Sequence, residues 1–356
     1  MRQGFRTLIH RALVGGRLGW LARQAGKYLA LQVSARLLDG RALVGPLMGV
    51  LVVVNRCNSK CAMCDIPTRP ELDLSTEDLK GLVRQFMELG TSGIGFTGGE
   101  PLLRRDLPEV VAYARSYGVP VTVNTNGLLL NRPGRIAELL DAGPTNVNLS
   151  LDGGRAETHD RLRGGPFFEA TLQAVEALSA EARRRGSRTT VTVVTVLSED
   201  NLDELEEIVG LVQRAGAHRW GIMPLHDTRR GETIRPLAAP RLRGLSSWLK
   251  SLPEGLLDNS RPYLDDLEQA FQGAPFPRRC NAGHTSLFVD SNLRVFPCLG
   301  HYMMDRPGAS LRLGPGEARL RDLWYSGAWR TLRRDLAGCR QCYLNCQAEL
   351  SYLVPV

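Results

Sequence analysis

The stretch Leu51-Val52-Val53-Val54-Asn55-Arg56-Cys57-Asn58-Ser59-Lys60-Cys61-Ala62-Met63-Cys64 decides how the rest of the chain is read. Leu51 to Val54 is a short β-branched run that predicts a buried strand ending directly at the cysteines. The loop that follows is a CxxxCxxC triplet, so it offers three thiolates and lacks a fourth. Three thiolates hold three irons of a cubane and leave the fourth iron open to a small molecule, which turns an electron store into a catalyst. The competing reading is a structural zinc site, the commoner use of closely spaced cysteines. No histidine lies near in sequence to complete a tetrahedron; the nearest, His10, is on a separate basic segment.

About thirty residues downstream comes Gly93-Ile94-Gly95-Phe96-Thr97-Gly98-Gly99-Glu100-Pro101, a second predicted strand running into a glycine pair and a carboxylate. Paired glycines at a strand end let backbone approach a ligand closely, and a neighbouring carboxylate accepts hydrogen bonds from an ammonium group. Together the two motifs resemble the radical S-adenosylmethionine (SAM) superfamily. The resemblance implies a [4Fe-4S] cluster on Cys57, Cys61 and Cys64, with SAM chelating the open iron and held by Gly98, Gly99 and Glu100. The position before the last cysteine, usually aromatic in that family, is Met63 here.

The chain has 356 residues, 43% hydrophobic and 23% charged, enough for a sizeable core. Its eight cysteines fall at 57–64 and 280–346, at metal-ligand rather than disulfide-framework spacing. With no signal peptide apparent, this predicts a reducing cytoplasm. No apolar run reaches the length needed to span a bilayer.

Between residues 47 and 230 a strand-then-helix pattern repeats about every thirty residues, as in parallel βα units. Strands are predicted near 50–55, 93–97, 120–124, 146–151, 189–196 and 218–224, giving a partial (β/α)6 barrel. Ser75 with Asp78 reads as the N-cap of the first barrel helix. Ligands of parallel α/β folds bind at the C-terminal strand ends, and polar residues fall there: Asn124 and Asn126-Gly127, Ser150 with Asp152-Gly153, and Thr195. Asn-Gly and Asp-Gly pairs are also ordinary turns. The run Ser150-Leu151-Asp152-Gly153, followed by His159-Asp160-Arg161-Leu162-Arg163-Gly164, resembles radical SAM enzymes with cysteine-rich C-terminal extensions. That resemblance implies contacts from Ser150 to the SAM ribose or carboxylate and from Arg163 to the carboxylate. The strand-end rule makes Asn124 a candidate for the SAM site, and the resemblance brings in the backbone at Met223, although Met223 equally suits a core position.

Residues 231–279 read as a linker with one helix near 241–252. From residue 280 a second module begins. Cys280 and Cys298 bracket a predicted hairpin with an Asp290-Ser291-Asn292 turn, and Cys339, Cys342 and Cys346 follow a Trp-containing helix over 320–336. This resembles the SPASM/twitch extension, which carries auxiliary iron-sulfur clusters. Five cysteines are too few for two auxiliary cubanes, so a single twitch-like [4Fe-4S] cluster is implied, on Cys280, Cys298, Cys339 and Cys342. Cys346 is spare or competes with Cys339 for the fourth position. A structural zinc knuckle is the alternative.

Residues 1–46 form a basic segment. In the first fifty residues Arg2, Arg6, Arg11, Arg17, Arg23, Lys27, Arg36 and Arg41 stand against Asp39 alone, seven of the eight net positive charges. Interleaved leucines and aromatics predict one or two basic amphipathic helices. These would either contact an anionic membrane surface, capture an acidic substrate, or pack over the open end of the barrel with a solvated basic face. Nothing accompanies them that would suggest nucleic-acid binding.

The resemblance therefore implies an oxidoreductase or transferase that cleaves SAM reductively and abstracts hydrogen from an unactivated C–H bond. An electron donor such as flavodoxin or ferredoxin would supply the electron. The substrate classes, in order, are a peptide being oxidised, crosslinked or epimerised, a carbohydrate or antibiotic intermediate, and a lipid. Outside enzymology, a zinc-binding interaction protein is the alternative.

Overall fold

The computed structural model describes residues 18–229, 242–305, 311–312, 319–340 and 343–353, with side chains from residue 24 onward in the first helix. The element order is α1 (Leu18–Leu37), β1 (Met48–Val52), α2 (Thr76–Glu88), β2 (Gly93–Thr97), α3 (Leu107–Ser116), β3 (Val121–Thr125), α4 (Arg135–Asp141) and β4 (Asn146–Ser150). There follow α5 (Ala156–Arg163), α6 (Phe168–Arg184), β5 (Thr190–Leu197), α7 (Leu205–Arg214), β6 (Arg219–Pro224), α8 (Leu245–Ser251) and α9 (Arg261–Phe271). The chain closes with β7 (Ser286–Val289), β8 (Arg294–Phe296), α10 (Leu299–Met303), β9 (Leu311–Arg312), α11 (Leu320–Tyr325), α12 (Gly327–Leu336) and α13 (Asn345–Leu353).

All six predicted barrel strands form, each within two residues of its expected start. They lie in one sheet in the order β6-β5-β4-β3-β2-β1-β7-β8-β9. β1 to β6 are parallel, with β7 parallel to β1 and the β7–β8–β9 meander antiparallel. Period-2 alternation sorts the strand residues onto two faces. In β4, buried Val147 and Leu149 join the core packed by the helices, while half-buried Asn146, Asn148 and Ser150 face the barrel interior. The helices begin where the local chemistry predicts. Ser75 Oγ accepts from Asp78 N (3.1 Å) and Asp78 Oδ2 accepts from Ser75 N (2.8 Å), the reciprocal cap that opens α2.

Three features of the architecture go beyond the local reading of the sequence. The C-terminal hairpin is continuous with the barrel, because β7 pairs with β1 from Met48↔Ser286 to Leu51↔Val289. The 242–279 part of the expected linker is packed: Leu257 bridges Trp220, and the Asn259 carboxamide accepts from Ile222 N (2.8 Å) and donates to Ile222 O (2.9 Å). An edge strand needs partners for its outward backbone groups, and Asn259 supplies them for β6. The single helix expected over 320–336 is broken at Ser326, whose hydroxyl caps α12 by accepting from Trp329 N.

α1 lies against the end of the barrel where the strands begin. The Lys27 ammonium donates to Pro46 O (2.7 Å), Ser92 Oγ (2.9 Å) and Gly90 O, while Leu31 and Ala35 are buried. Residues 1–17, the rest of the basic segment, lie outside the described residues. Among the described residues no helix is long and apolar enough to cross a membrane.

Candidate active site

The cysteine triplet leaves β1 at the C-terminal end of the sheet and is held by three neighbouring loops. Gly99 N donates to Val54 O (2.8 Å) and Glu100 N to Arg56 O (2.9 Å), so the glycine run is zipped to the chain entering the triplet. A Cβ on Gly98 would lie 2.2 Å from Val54 O, and one on Gly99 2.2 Å from Asn55 O. No side chain fits there, and this close approach is what the two glycines provide. On the far side Ala62 N donates to Leu162 O (2.9 Å) at the end of α5, and Thr228, beyond β6, donates from its N and its hydroxyl to Met63 O (both 3.1 Å). Arg229 Nε donates to Cys64 O (3.1 Å).

Cys57, Cys61 and Cys64 are each half-buried. Burial pushes the Cys57 thiol up to about 11, against a Ser59 amide hydrogen bond that pulls it down; burial also raises Cys64. Arg163 stands beside them with its Nη2 2.6 Å from Asp152 Oδ2, and its charge is felt at Cys61 and Cys64. Two buried polar atoms of this ring lack a partner, Arg163 Nε and His226 Nε2. His226, on the segment after β6, uses its other ring nitrogen on Pro224 O (2.9 Å), and burial lowers its pKa to about 4, so the ring is neutral. The unmatched Arg163 N–H, on a side chain that meets Cys61, is what a bound carboxylate would complete. The donor set thus fits a three-thiolate cluster with SAM. Among the described residues no three His, Cys, Asp or Glu side chains converge on one point as a single metal ion requires.

Two of the expected ligand residues also bind within the chain. The Glu100 carboxylate is fully buried and turned to the chain, accepting from Thr125 Oγ1 (2.7 Å), Asn126 N (2.8 Å) and Leu102 N (3.0 Å). It pins the glycine run to β3. Asn124 sits below the rim and binds inward, its Nδ2 on Phe96 O (3.3 Å) and its Oδ1 receiving Asn148 Nδ2 (2.7 Å). The asparagine at the rim is Asn126, whose Nδ2 lies 2.7 Å from Asn58 Oδ1 and 3.9 Å from Cys57 Sγ. Ser150 and Met223 lie near the ends of β4 and β6, half-buried. Arg163 is beside the triplet, paired with Asp152 and hydrogen-bonded to Cys61, with its Nε unmatched. Reading the sequence missed Asn126 as more than a turn residue, and missed His226 and Thr228 because no motif announces them.

In the C-terminal module Cys280, Cys298 and Cys339 meet around one apolar cluster with Ala282 and Leu336. Cys346 lies on α13, and Cys342 falls outside the described residues. The module is tied to the first triplet by Arg69. That side chain holds the Asp65 carboxylate at 2.9 and 3.1 Å, donates to Tyr302 O (2.7 Å) and Met303 O, and lies over the Tyr302 ring.

Residues 51–212 match the radical SAM superfamily. Among characterised relatives, Fe-coproporphyrin III synthase of Methanosarcina barkeri is 38% identical over 143 residues, 39% of this chain and 35% of that protein. PqqA peptide cyclase of Rhodopseudomonas palustris is 35% identical over 122 residues, 33% of this chain and 32% of that protein. The matches span 32–53% of the lengths of such relatives. The fold resembles that of Streptococcus suis SuiB bound to precursor peptide SuiA, with a TM-score of 0.66 and 15% identity over 85% of this chain and 70% of that one. The radical SAM family binds a [4Fe-4S] cluster and SAM, and residues 51–212, with the three-cysteine loop at their first strand, form a radical SAM domain.

Proposed function

We propose that the protein is a radical SAM enzyme that takes a hydrogen atom from a C–H bond of a peptide held in the barrel interior. When bound at Cys57, Cys61 and Cys64, the cluster and SAM supply the one-electron cleavage that produces a 5′-deoxyadenosyl radical. Arg163 Nε, Ser150 and the backbone of Gly98 and Gly99 would hold SAM, with His226 and Met223 beside it. Cys280, Cys298, Cys339 and Cys342 would hold one auxiliary [4Fe-4S] cluster, and a flavodoxin- or ferredoxin-like donor would supply the electron.

The observation that carries the peptide reading is the make-up of the interior face. On the β1–β7–β8 side that face is apolar, with Val50, Val52, Phe288 and Phe296 clustered with Tyr302. Across β3 to β5 it is a ladder of uncharged polar groups: Thr192 Oγ1 donates to Asn146 Oδ1 (2.9 Å), Asn146 Nδ2 to Asn148 Oδ1 (2.6 Å), and Asn148 Nδ2 to Asn124 Oδ1 (2.7 Å). Each carboxamide in the chain keeps a second N–H, and the three asparagines are half-buried, open toward the interior. Amide donors and acceptors suit a peptide backbone, and the aromatic wall suits an apolar side chain at the reacting residue. The arginines in these rows, Arg219 and Arg294, are ion-paired with Asp258 and with Asp290 and Asp305. A tetrapyrrole carrying several carboxylates, as the Methanosarcina relative's name suggests for that protein, would need unspent cations. SuiB in complex with a precursor peptide and the PqqA peptide cyclase support the same reading.

The chain's own part is to orient the substrate C–H between these walls and to exclude water from the radical. The test uses anaerobically reconstituted full-length protein with SAM, reductant and deuterated precursor peptides encoded near its gene. Deuterium in 5′-deoxyadenosine, with Asn148→Leu raising KM for the peptide more than it lowers kcat, is the expected result. Label arriving only from a non-peptide substrate would remove the peptide reading and leave the radical SAM assignment standing.

A further inference from the structure

At the opposite end of the barrel from the cysteine triplet, Arg41, Arg330 and Arg333 line a cavity of about 370 Å³ together with Tyr325 and Ser326, the N-cap of α12. Arg333 is only 3% exposed. Its guanidinium donates to three uncharged groups, Gly283 O (2.7 Å), Trp324 O (2.8 Å) and Gly40 O (3.2 Å), and stacks 4.4 Å from the Trp324 ring. One carboxylate is near: Asp39, bound by Arg330 (2.7 Å) and approached by Arg334 (3.6 Å). Among the described residues no acid pairs with Arg41 or Arg333. A buried cation that meets three carbonyls and an aromatic ring but no carboxylate, on the wall of a cavity with two further arginines, is electrostatically incomplete without an anion.

The same end of the molecule exposes apolar side chains in register. Leu29, Val33 and Leu37 follow each other at four-residue spacing on α1 and are 64%, 39% and 75% exposed, and Leu43 beyond the helix is 55% exposed. The opposite side of α1 is spent on the barrel through Lys27, Leu31 and Ala35. An apolar stripe on a helix pinned to the body, in a segment with eight basic residues against one acid, has the composition of an interfacial helix. The stripe ends at Leu37, and Arg333 holds the carbonyl of Gly40, three residues further on.

We propose that this end of the protein docks on an anionic phospholipid surface. The Leu29–Val33–Leu37 stripe enters the acyl boundary and the Arg41–Arg330–Arg333 cavity takes a headgroup phosphate. A soluble phosphate would satisfy the arginines but leave the stripe in water, and a lipid satisfies both. The geometry keeps the mouth of the barrel, at the other end of the strands, facing away from the bilayer.

Full-length protein is tested by co-sedimentation with phosphatidylcholine vesicles, with and without phosphatidylglycerol. Binding is expected only to the anionic vesicles. Arg41→Gln with Arg330→Gln should weaken it about thirtyfold, at about 1 kcal/mol per basic residue. Leu29→Ser with Leu37→Ser should weaken it at least as much, and both variants should keep the iron content of the parent as proof of folding. The proposal fails if wild-type protein ignores anionic vesicles while inorganic phosphate raises its Tm, which would assign the cavity to a soluble anion. It also fails if both double variants bind like the parent, which would leave residues 1–17 as the sole anchor. Loss of vesicle binding together with a dimer that Leu29→Ser/Leu37→Ser dissolves would make the stripe a contact between two copies, and equally overturn it.

Discussion

The Glu100 carboxylate accepts three hydrogen bonds in complete burial, from a hydroxyl on β3 and from two backbone amides. Burial raises its pKa even against those three bonds. In Glu100→Gln an NH2 group must face one of these donors, so one hydrogen bond is lost and a buried donor is left unmatched. We expect a loss of about 1–3 kcal/mol in urea unfolding, with SAM affinity of the folded protein unchanged. A variant as stable as its parent but poor at binding SAM would return this carboxylate to the ligand. The residue types of the site were legible, since cysteines and paired glycines at strand ends have few other uses. Which atom each residue turns toward the ligand was not, because that depends on neighbours distant in sequence, such as Thr125 for Glu100 and Asp152 for Arg163.

Strands and helices were legible because each announces itself locally, by β-branched runs, by Ser75 with Asp78, or by glycine at helix ends. What joins them is less visible. Gly164 illustrates this: it ends α5 with φ +75°, an ordinary C-cap, yet an added Cβ would stand 2.2 Å from Lys60 O in the cysteine loop. Gly186 has a similar φ of +60° with nothing within 4 Å of its Cβ position. Gly164→Ala should therefore displace the triplet. Reconstituted protein should fall from about eight irons per chain to about four, whereas Gly186→Ala should keep its iron and lose only about 1–2 kcal/mol of stability. Equal iron in the two variants would mean that α5 does not brace the loop. The pairing of β7 with β1 was likewise unreadable, since more than two hundred residues separate Met48 from Ser286 and no local signal links them.

Across the whole molecule, three buried histidines fix how stability depends on acidity. His159 and His226 have pKa values lowered to about 4 and His284 to about 3, in each case mainly by burial. Arg163 adds to this at His159, and Arg333 and Arg279 at His284, while Asp152 and Asp160 oppose it at His159. The unfolded chain takes up these protons near pH 6.5 and the folded chain does not, so stability is present above 6.5 and is lost as pH falls toward 4. Each histidine contributes a slope of about 1.4 kcal/mol per pH unit in that window. Glu100 and Glu349, raised by burial, titrate with the opposite sign and offset part of it. Three such slopes remove about 6 kcal/mol between pH 6.5 and pH 5 before that offset, a large share of an ordinary stability of about 5–15 kcal/mol. His159 isolates the effect, because its Nδ1 accepts from Asp152 N (3.2 Å) and must stay unprotonated to do so. His159→Asn keeps an acceptor near that position and does not titrate. Urea midpoints measured between pH 7 and pH 5 should fall steeply for the parent and less steeply for the variant, by about 1.4 kcal/mol per pH unit. Parallel lines for the two proteins would show that His159 already carries its proton in the folded state, and the burial argument would not hold there.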